Sequence, residues 1–305
     1  MTAIAVHCLP SSWTQAKRLA ERLEVPLRPI AVHTFPDGEL RVTVGQSSRT
    51  AILYASLDHP NDKLIAVLLA CDALRTGGAR RIVLVAPYLC YMRQDKAFHS
   101  GEAVSQRVIG ALLSKSVDRV VTVNAHLHRT ATIKEVFSQI AADDLSAMPA
   151  IAQSMRRWPY RPDTVVAGPD EESRGWVSEL ARALGLPFMV GKKSRLDDQT
   201  VQIVFPEDAS VGGRGVVLID DIVSSGGTLL TCAAALRAAG ALSIDAVIVH
   251  ALFADSLASD LISGGIGSIR STDSVTHRTN SIHLDALIGT ALASEFSLSP
   301  PEVRS

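Results

Sequence analysis

Short apolar runs alternate along nearly the whole chain with stretches whose apolar residues recur every three to four positions. The runs Arg81–Pro87 (RIVLVAP), Arg119–Asn124 (RVVTVN), Thr164–Ala167, Gly215–Ile219 and Ala246–His250 are rich in Val and Ile and too short for helices, so they read as buried strands. Between them, Leu64–Arg75, Val104–Ser114, Trp176–Leu184 and Leu229–Ala239 carry the helical period, and several stop at Gly as a C-cap would. This alternation predicts an α/β protein with mainly parallel sheets.

The chain has 305 residues, a length that favours two globular domains. Pro159 and Pro162 break the periodicity in the stretch Ala150–Pro162, near mid-chain, which makes that stretch a boundary zone. The expected division is residues 1–147 and 148–293, with 294–305 as a mobile tail. The halves also resemble each other. Ala73–Ala79 (ALRTGGA) aligns with Ala235–Ala241 (ALRAAGA) at an offset of 162 residues, and the same offset sets Asp58 on Asp220. Two Ala-rich helix ends can share this composition by chance; the alternative is a duplicated α/β domain.

Composition narrows the function. Thirty Lys and Arg against 31 Asp and Glu leave a formal charge of -1, so no global field draws the chain to nucleic acid or to an anionic membrane. No apolar run approaches the 18–20 residues of a membrane span, and the first residues carry no secretory signal pattern, so the cytoplasm is the expected setting. Cys8, Cys71, Cys90 and Cys232 are too dispersed for a zinc knuckle or a redox dithiol and read as free thiols.

The sharpest chemical signal is Val216–Leu229 (VVLIDDIVSSGGTL): an apolar strand ending in two carboxylates, then a Ser/Gly/Thr loop that opens a helix. Backbone N–H groups of Ser224, Ser225, Gly226, Gly227 and Thr228 can converge on a phosphate, with the hydroxyls adding donors. Asp220 and Asp221 offer acceptors to sugar hydroxyls or Mg²⁺. A ribose 5-phosphate presents both chemistries. An N-capped helix after a tight turn is the plainer reading, and a Walker A loop is excluded because its Lys is absent.

This segment resembles the ribose-phosphate loop of type I phosphoribosyltransferases and ribose-phosphate diphosphokinases. Five further segments, in the same order as in the diphosphokinases, extend the resemblance. Phe35-Pro36-Asp37-Gly38-Glu39 is similar to F-x-D-G-E, and Tyr91–Lys96 with Gly101–Ser105 is similar to Y-x-R-Q-D-[KR] and G-E-P-I-S. Asn124-Ala125-His126 stands where the family has D-x-H, and Gly168-Pro169-Asp170 where it has S/G-P-D. Lys193-Ser194-Arg195 is similar to K-x-R on a flexible catalytic loop. Departures fall at Asn124, at Ser224 in place of a common Asp, and at Glu171–Ser173 in place of glycines. The G-E-x-x-S variant and the Leu196 after K-x-R look closer to the archaeal-type enzymes.

The resemblance implies two tandem type I phosphoribosyltransferase-like domains and transfer of the diphosphoryl group of Mg-ATP to ribose 5-phosphate, giving phosphoribosyl pyrophosphate (PRPP) and AMP. It assigns Lys193 and Arg195 as catalytic cations. ATP falls to Phe35, Asp37, Gly38, Glu39, Arg93, Gln94 and His126, and ribose 5-phosphate to Arg195, Asp220, Asp221 and Ser224–Thr228. His126 and Asp170 would serve Mg²⁺. It also implies a homo-oligomer (dimer, tetramer or hexamer) in which Phe35–Glu39 reaches a neighbour's ATP site. The alternatives are a phosphoribosyltransferase that consumes PRPP and a non-catalytic, nucleotide-binding regulatory homologue.

Overall fold

A computed structural model describes residues 2–195, 201–205 and 211–297, and of 193–195, 201 and 202 the backbone. It divides into two compact units, one formed by residues up to Leu145 together with the chain from Leu284 onward, the other by Ser146–His283.

In the first unit the chain runs β1 (Thr2–Cys8), α1 (Trp13–Leu23), β2 (Leu27–Thr34), β3 (Leu40–Val44), β4 (Ser48–Tyr54), α2 (Pro60–Thr76), β5 (Arg81–Val85), α3 (Ser105–Ser114), β6 (Arg119–Val123), α4 (Ile133–Val136) and β7 (Ala141–Leu145). These strands form one sheet in the order β3-β2-β1-β4-β5-β6-β7, parallel except for the antiparallel β2–β3 ribbon. Leu53, Leu84 and Val120 pack against Val67 and Leu74 of α2 and Leu113 of α3, while Ile52, Val83 and Val121 are buried too. Burial of both sheet faces explains why these strands read as unbroken apolar runs.

The second unit contains α5 (Met148–Met155), β8 (Val165–Gly168), α6 (Arg174–Leu184), β9 (Phe188–Val190), β10 (Lys192–Arg195), β11 (Val201–Val204), β12 (Gly215–Val223), α7 (Gly227–Ala238), β13 (Ser243–Ala251), α8 (Asp255–Ser263), β14 (Ser268–Thr272) and β15 (Asn280–Ile282). Its main sheet has the order β15-β14-β13-β12-β8-β9 with every pair parallel, and β10–β11 form a separate antiparallel hairpin. Leu218 and Ile248 meet Leu229, Cys232 and Leu236 of α7 in the core.

Both units hold a strand, helix, parallel strand repeat, and its register follows the offset seen in the sequence. Helix α2 ends at Thr76 and α7 at Ala238, while β5 starts at Arg81 and β13 at Ser243. Both pairs are 162 apart. The helix starts do not correspond: α2 begins at Pro60 and α7 at Gly227, so the first unit forms additional helix where the second has its Ser-Gly loop.

The last helix, α9 (Asp285–Ser297), belongs to the first unit, which corrects the expected domain end at 293 and the tail beginning at 294. Ile288, Leu292 and Glu295 share its buried face. The Glu295 carboxylate accepts from Arg81 Nη2 at 2.9 Å and Arg119 Nη1 at 2.8 Å, and Arg22 pairs with Asp285 at the start of the helix. Residues 298–305 of the expected tail lie outside the described residues. All four cysteines are free and buried, and among the described residues no helix is long and apolar enough to cross a membrane.

Candidate active site

In the second unit the predicted sugar-phosphate residues sit where the strand order reverses. β8 leads outward to β9, and β12 then returns on the other side of β8; open α/β sheets bind ligands at the C-terminal ends of such strands. The strand expected to stop at Ile219 continues to Val223, because Ile222 and Val223 still pair with His250 and Ala251 of β13. Asp220 and Asp221 therefore lie within β12, not in the loop after it. Asp220 is buried and its Oδ1 accepts the Asp221 N–H at 3.0 Å; Asp221 Oδ1 accepts the Ile222 N–H at 2.8 Å.

Ser224 and Ser225 are exposed, and Gly226 caps α7 with φ of +75°. A Cβ at Gly226 would also approach Leu257 Cδ2 to 2.8 Å, whereas one at Gly227 would meet nothing within 4 Å. The two glycines thus differ: Gly226 is demanded by the fold, while Gly227 borders open space at the head of the helix.

Asp170 follows β8, the neighbour of β12, in extended conformation, and Ser173 Oγ donates to its backbone carbonyl. Arg174 donates to Glu171 Oε2 at 2.9 Å, and this hydrogen bond holds the exposed Glu171 carboxyl below the usual range. The charge added at Glu171 is therefore balanced in place. Lys193 and Arg195 lie on β10, paired with Ile203 and Val201 of β11. The hairpin begins right after Gly191, whose N–H donates to the Gly168 carbonyl at 3.0 Å. A Cβ on Gly191 would stand 2.6 Å from Pro169 O, so only glycine lets the hairpin base pass over the Asp170 turn this closely.

In the first unit Arg93 and Gln94 follow β5, and His126 follows β6, so adjacent strand ends bring them to one edge of the sheet. Two residues here adopt the left-handed region without being glycine: Tyr91 at φ +61° and Asn124 at +42°. Asn124 follows β6 and turns the chain before His126 and His128. Their rings meet edge to face, with centroids 4.0 Å apart. Tyr91 is held by its hydroxyl, which donates to Asn61 Oδ1 at 2.5 Å.

The Phe35–Glu39 turn joins β2 and β3, closed by Phe35 N–H to Glu39 O at 2.8 Å, with Gly38 at φ +92°. It lines a surface cavity of about 500 Å³ with Leu40, Asp62 and Ile65. In the sheet β1 and β4 stand between this ribbon and β5 and β6, and the start of α2 reaches both regions, Asn61 to Tyr91 and Asp62 to the turn. The two expected metal residues fall in different units, His126 in the first and Asp170 in the second. Among the described residues no three His, Cys, Asp or Glu side chains converge as a ready metal cage. Sequence reasoning quoted Asp95 without giving it a role and overlooked Gly191, Gln106, Arg129 and Thr130. A glycine between a strand and a basic segment was the one legible hint.

A family model for the N-terminal domain of ribose phosphate pyrophosphokinase matches residues 4–116, and one for the phosphoribosyl transferase domain matches residues 141–260. A ribose-phosphate pyrophosphokinase of Methanopyrus kandleri is 35% identical over 85% of this chain and 88% of its own length. Ribose-phosphate pyrophosphokinase 2 of Archaeoglobus fulgidus is 36% identical over 92% of this chain and 96% of its own. Both sources are archaeal, the class that the G-E-x-x-S segment resembles. The crystal structure of phosphoribosylpyrophosphate synthetase from Mycobacterium smegmatis shares the fold, with a TM-score of 0.83 at 24% identity, covering 97% of this chain and 100% of that one. On these matches, which span both units, the chain belongs to the ribose-phosphate pyrophosphokinase family.

Proposed function

We propose that the chain transfers the diphosphoryl group of ATP to the C1 hydroxyl of ribose 5-phosphate, giving PRPP and AMP. The observation that carries this reading is the meeting of three elements on the adjacent strands β12, β8 and β9: the Ser224–Thr228 loop, the Asp170 turn and the base of the cationic hairpin. A phosphate receptor, sugar-hydroxyl acceptors and two cations are what a diphosphoryl transfer to a sugar phosphate needs.

In this reading Ser224–Thr228 hold the 5-phosphate with backbone N–H groups, and Asp220 and Asp221 accept from the ribose hydroxyls. The C1 oxygen forms its bond to the β-phosphorus as the bond to the α–β bridging oxygen breaks. AMP leaves and the hydroxyl proton passes to solvent. Lys193 and Arg195 balance charge at the transferring group. No general base is assigned, because a loose phosphoryl transition state gains most from positioning and charge neutralisation.

Asp170 offers the hard carboxylate oxygen that Mg²⁺ takes, with substrate phosphates and water completing the shell, while His126 is a softer nitrogen donor. The resemblance gives Asp170 and His126, each in its own unit, to Mg²⁺, which when bound would neutralise the triphosphate. Arg93, Gln94 and His126 would take ATP. Family membership supports a homo-oligomer in which the Phe35–Glu39 turn acts on a second copy. Four buried free thiols and a near-zero net charge support a cytoplasmic protein that does not engage nucleic acid. The Arg174–Glu171 pair weakens the case for a non-catalytic homologue, since it offsets the negative charge added beside Asp170. The test is formation of AMP and PRPP from ATP, Mg²⁺ and ribose 5-phosphate; ATP binding without product would favour the regulatory reading.

A further inference from the structure

The loops that carry Arg93, Gln94 and His126 have little secondary structure of their own. What fixes them is a pair of ties between the two loops. The first runs through Gln106, the second residue of α3, which is 6% exposed. Its backbone N–H donates to the Gln94 carbonyl at 3.2 Å and its Nε2 to the Met92 carbonyl at 3.4 Å, so it grips the chain on both sides of Arg93. Its Oε1 accepts the Thr130 hydroxyl at 2.8 Å. The second tie is Asp95, whose side chain is 2% exposed. It accepts the Arg129 backbone N–H at 3.0 Å and Arg129 Nη1 at 2.7 Å, while the guanidinium lies 5.5 Å from the Phe98 ring centroid.

Both ties leave the segment around Arg93–Gln94 and land on consecutive residues, Arg129 and Thr130, shortly after His126 and His128. Two anchors between the same loops resist sliding and rotation together, which one anchor could not. Both end in buried acceptors that lose their partners if the loops separate. Cations and base-reading groups placed on separate loops grip a nucleotide well only when their spacing is set before binding, so that ordering is not charged against affinity.

We infer that Gln106–Thr130 and Asp95–Arg129 are positioning ties that set the distance between Arg93–Gln94 and His126, and so the first unit's grip on a nucleotide triphosphate. The inference rests on the reading that these residues take ATP. Thr130→Val removes the hydroxyl at constant shape, Thr130→Ser restores it, and Arg129→Met removes the charge while keeping the stem. Calorimetric titration of the full-length protein with Mg-ATP should give a Kd raised about tenfold in Thr130→Val and in Arg129→Met, and further in the double variant. Thr130→Ser should stay within twofold of the parent, as should ribose 5-phosphate affinity in every variant. A merely structural role would weaken both ligands together and leave Ser no better than Val.

A double variant with native circular dichroism and an ATP Kd within twofold of the parent would overturn the inference, as would parallel loss of both ligands. Should the double variant fail to fold, the contrast of Thr130→Val with Thr130→Ser decides alone. Arg93→Ala separates the two levels of the reasoning. If it leaves ATP affinity unchanged, the ATP assignment falls and the inference with it; if it weakens ATP while the tie variants do not, the inference alone falls.

Discussion

Replacing Glu295 by Ala tests how α9 is fixed to the first unit. The Glu295 side chain is 0% exposed and meets Arg81 and Arg119, whose side chains are 29% and 10% exposed. Burial alone would raise its carboxyl, but the hydrogen bonds from Arg81 and Arg119 outweigh this and hold it below the usual range. Removing one partner of a buried pair costs roughly 3–5 kcal/mol because the other charge is left uncompensated. Arg119 keeps Asp143 at 2.8 Å, Ser294 Oγ at 3.1 Å and the Ala291 carbonyl at 3.0 Å, so the low end applies, about 3 kcal/mol by that same measure. With an m-value of about 2 kcal/mol per molar urea, the first unit's midpoint should fall by about 1.5 M. Trp13, on α1 beside α9, reports this transition once Trp158 and Trp176 are changed to Phe. Glu295→Gln, which keeps an acceptor, should lose about half as much. The carboxylate's contribution is present above about pH 4 and fades as the pH falls through its depressed native value, so the deficit of the Ala variant should shrink in acid. A midpoint within 0.3 M of the parent, on the scale of an extrapolation error of about a tenth, would refute the reasoning.

The glycines of the phosphate loop should separate fold from function. Gly227→Ala should leave stability unchanged or raised by up to about 1 kcal/mol, because helix propensity improves, yet raise the KM for ribose 5-phosphate at least about tenfold, since the methyl enters the space assigned to the phosphate. An unchanged KM would remove the phosphate from that position, and Gly226→Ala, strained and against Leu257, should instead lower the melting temperature. Gly191→Ala should cut kcat by about tenfold or more, the scale of a small misplacement of catalytic groups; turnover within twofold would show that the hairpin tolerates the shift. His7 is fully buried, and burial, with Arg28 adding to it, pushes its imidazole down to about 4. Its neutral form stabilises the fold fully above pH 6.5, and about 2 kcal/mol of that should be lost by pH 5 as the unfolded chain takes up the proton. The parent's urea midpoint should therefore fall in acid by more than that of His7→Leu, and parallel pH profiles would contradict the assignment.

The strands legible in the sequence were β5, β6, β8, β12 and β13, which are largely buried and rich in Val and Ile. The β2–β3 ribbon was not, because its half-exposed pattern at the sheet edge carries Pro29 and mixed polarity. α9 was taken in part for tail because Glu295 looks like a surface residue; what draws it inside is Arg81 and Arg119, far away along the chain. The extent of β12 depended on pairing with β13, which no local pattern reveals. The loop that opens α7 was legible since Ser, Gly and Thr after a strand have a direct physical meaning. The ties from Gln106 and Asp95 were not, since their partners are defined only once β5 and β6 lie side by side.

The central claim is the reaction. Phosphorus NMR of the protein mixed with ATP, ribose 5-phosphate and Mg²⁺ should show AMP and PRPP growing in equal amounts, with Lys193→Ala losing turnover while it still binds ribose 5-phosphate. Absence of PRPP at every Mg²⁺ concentration, or consumption of added PRPP with a nucleobase instead, would contradict it.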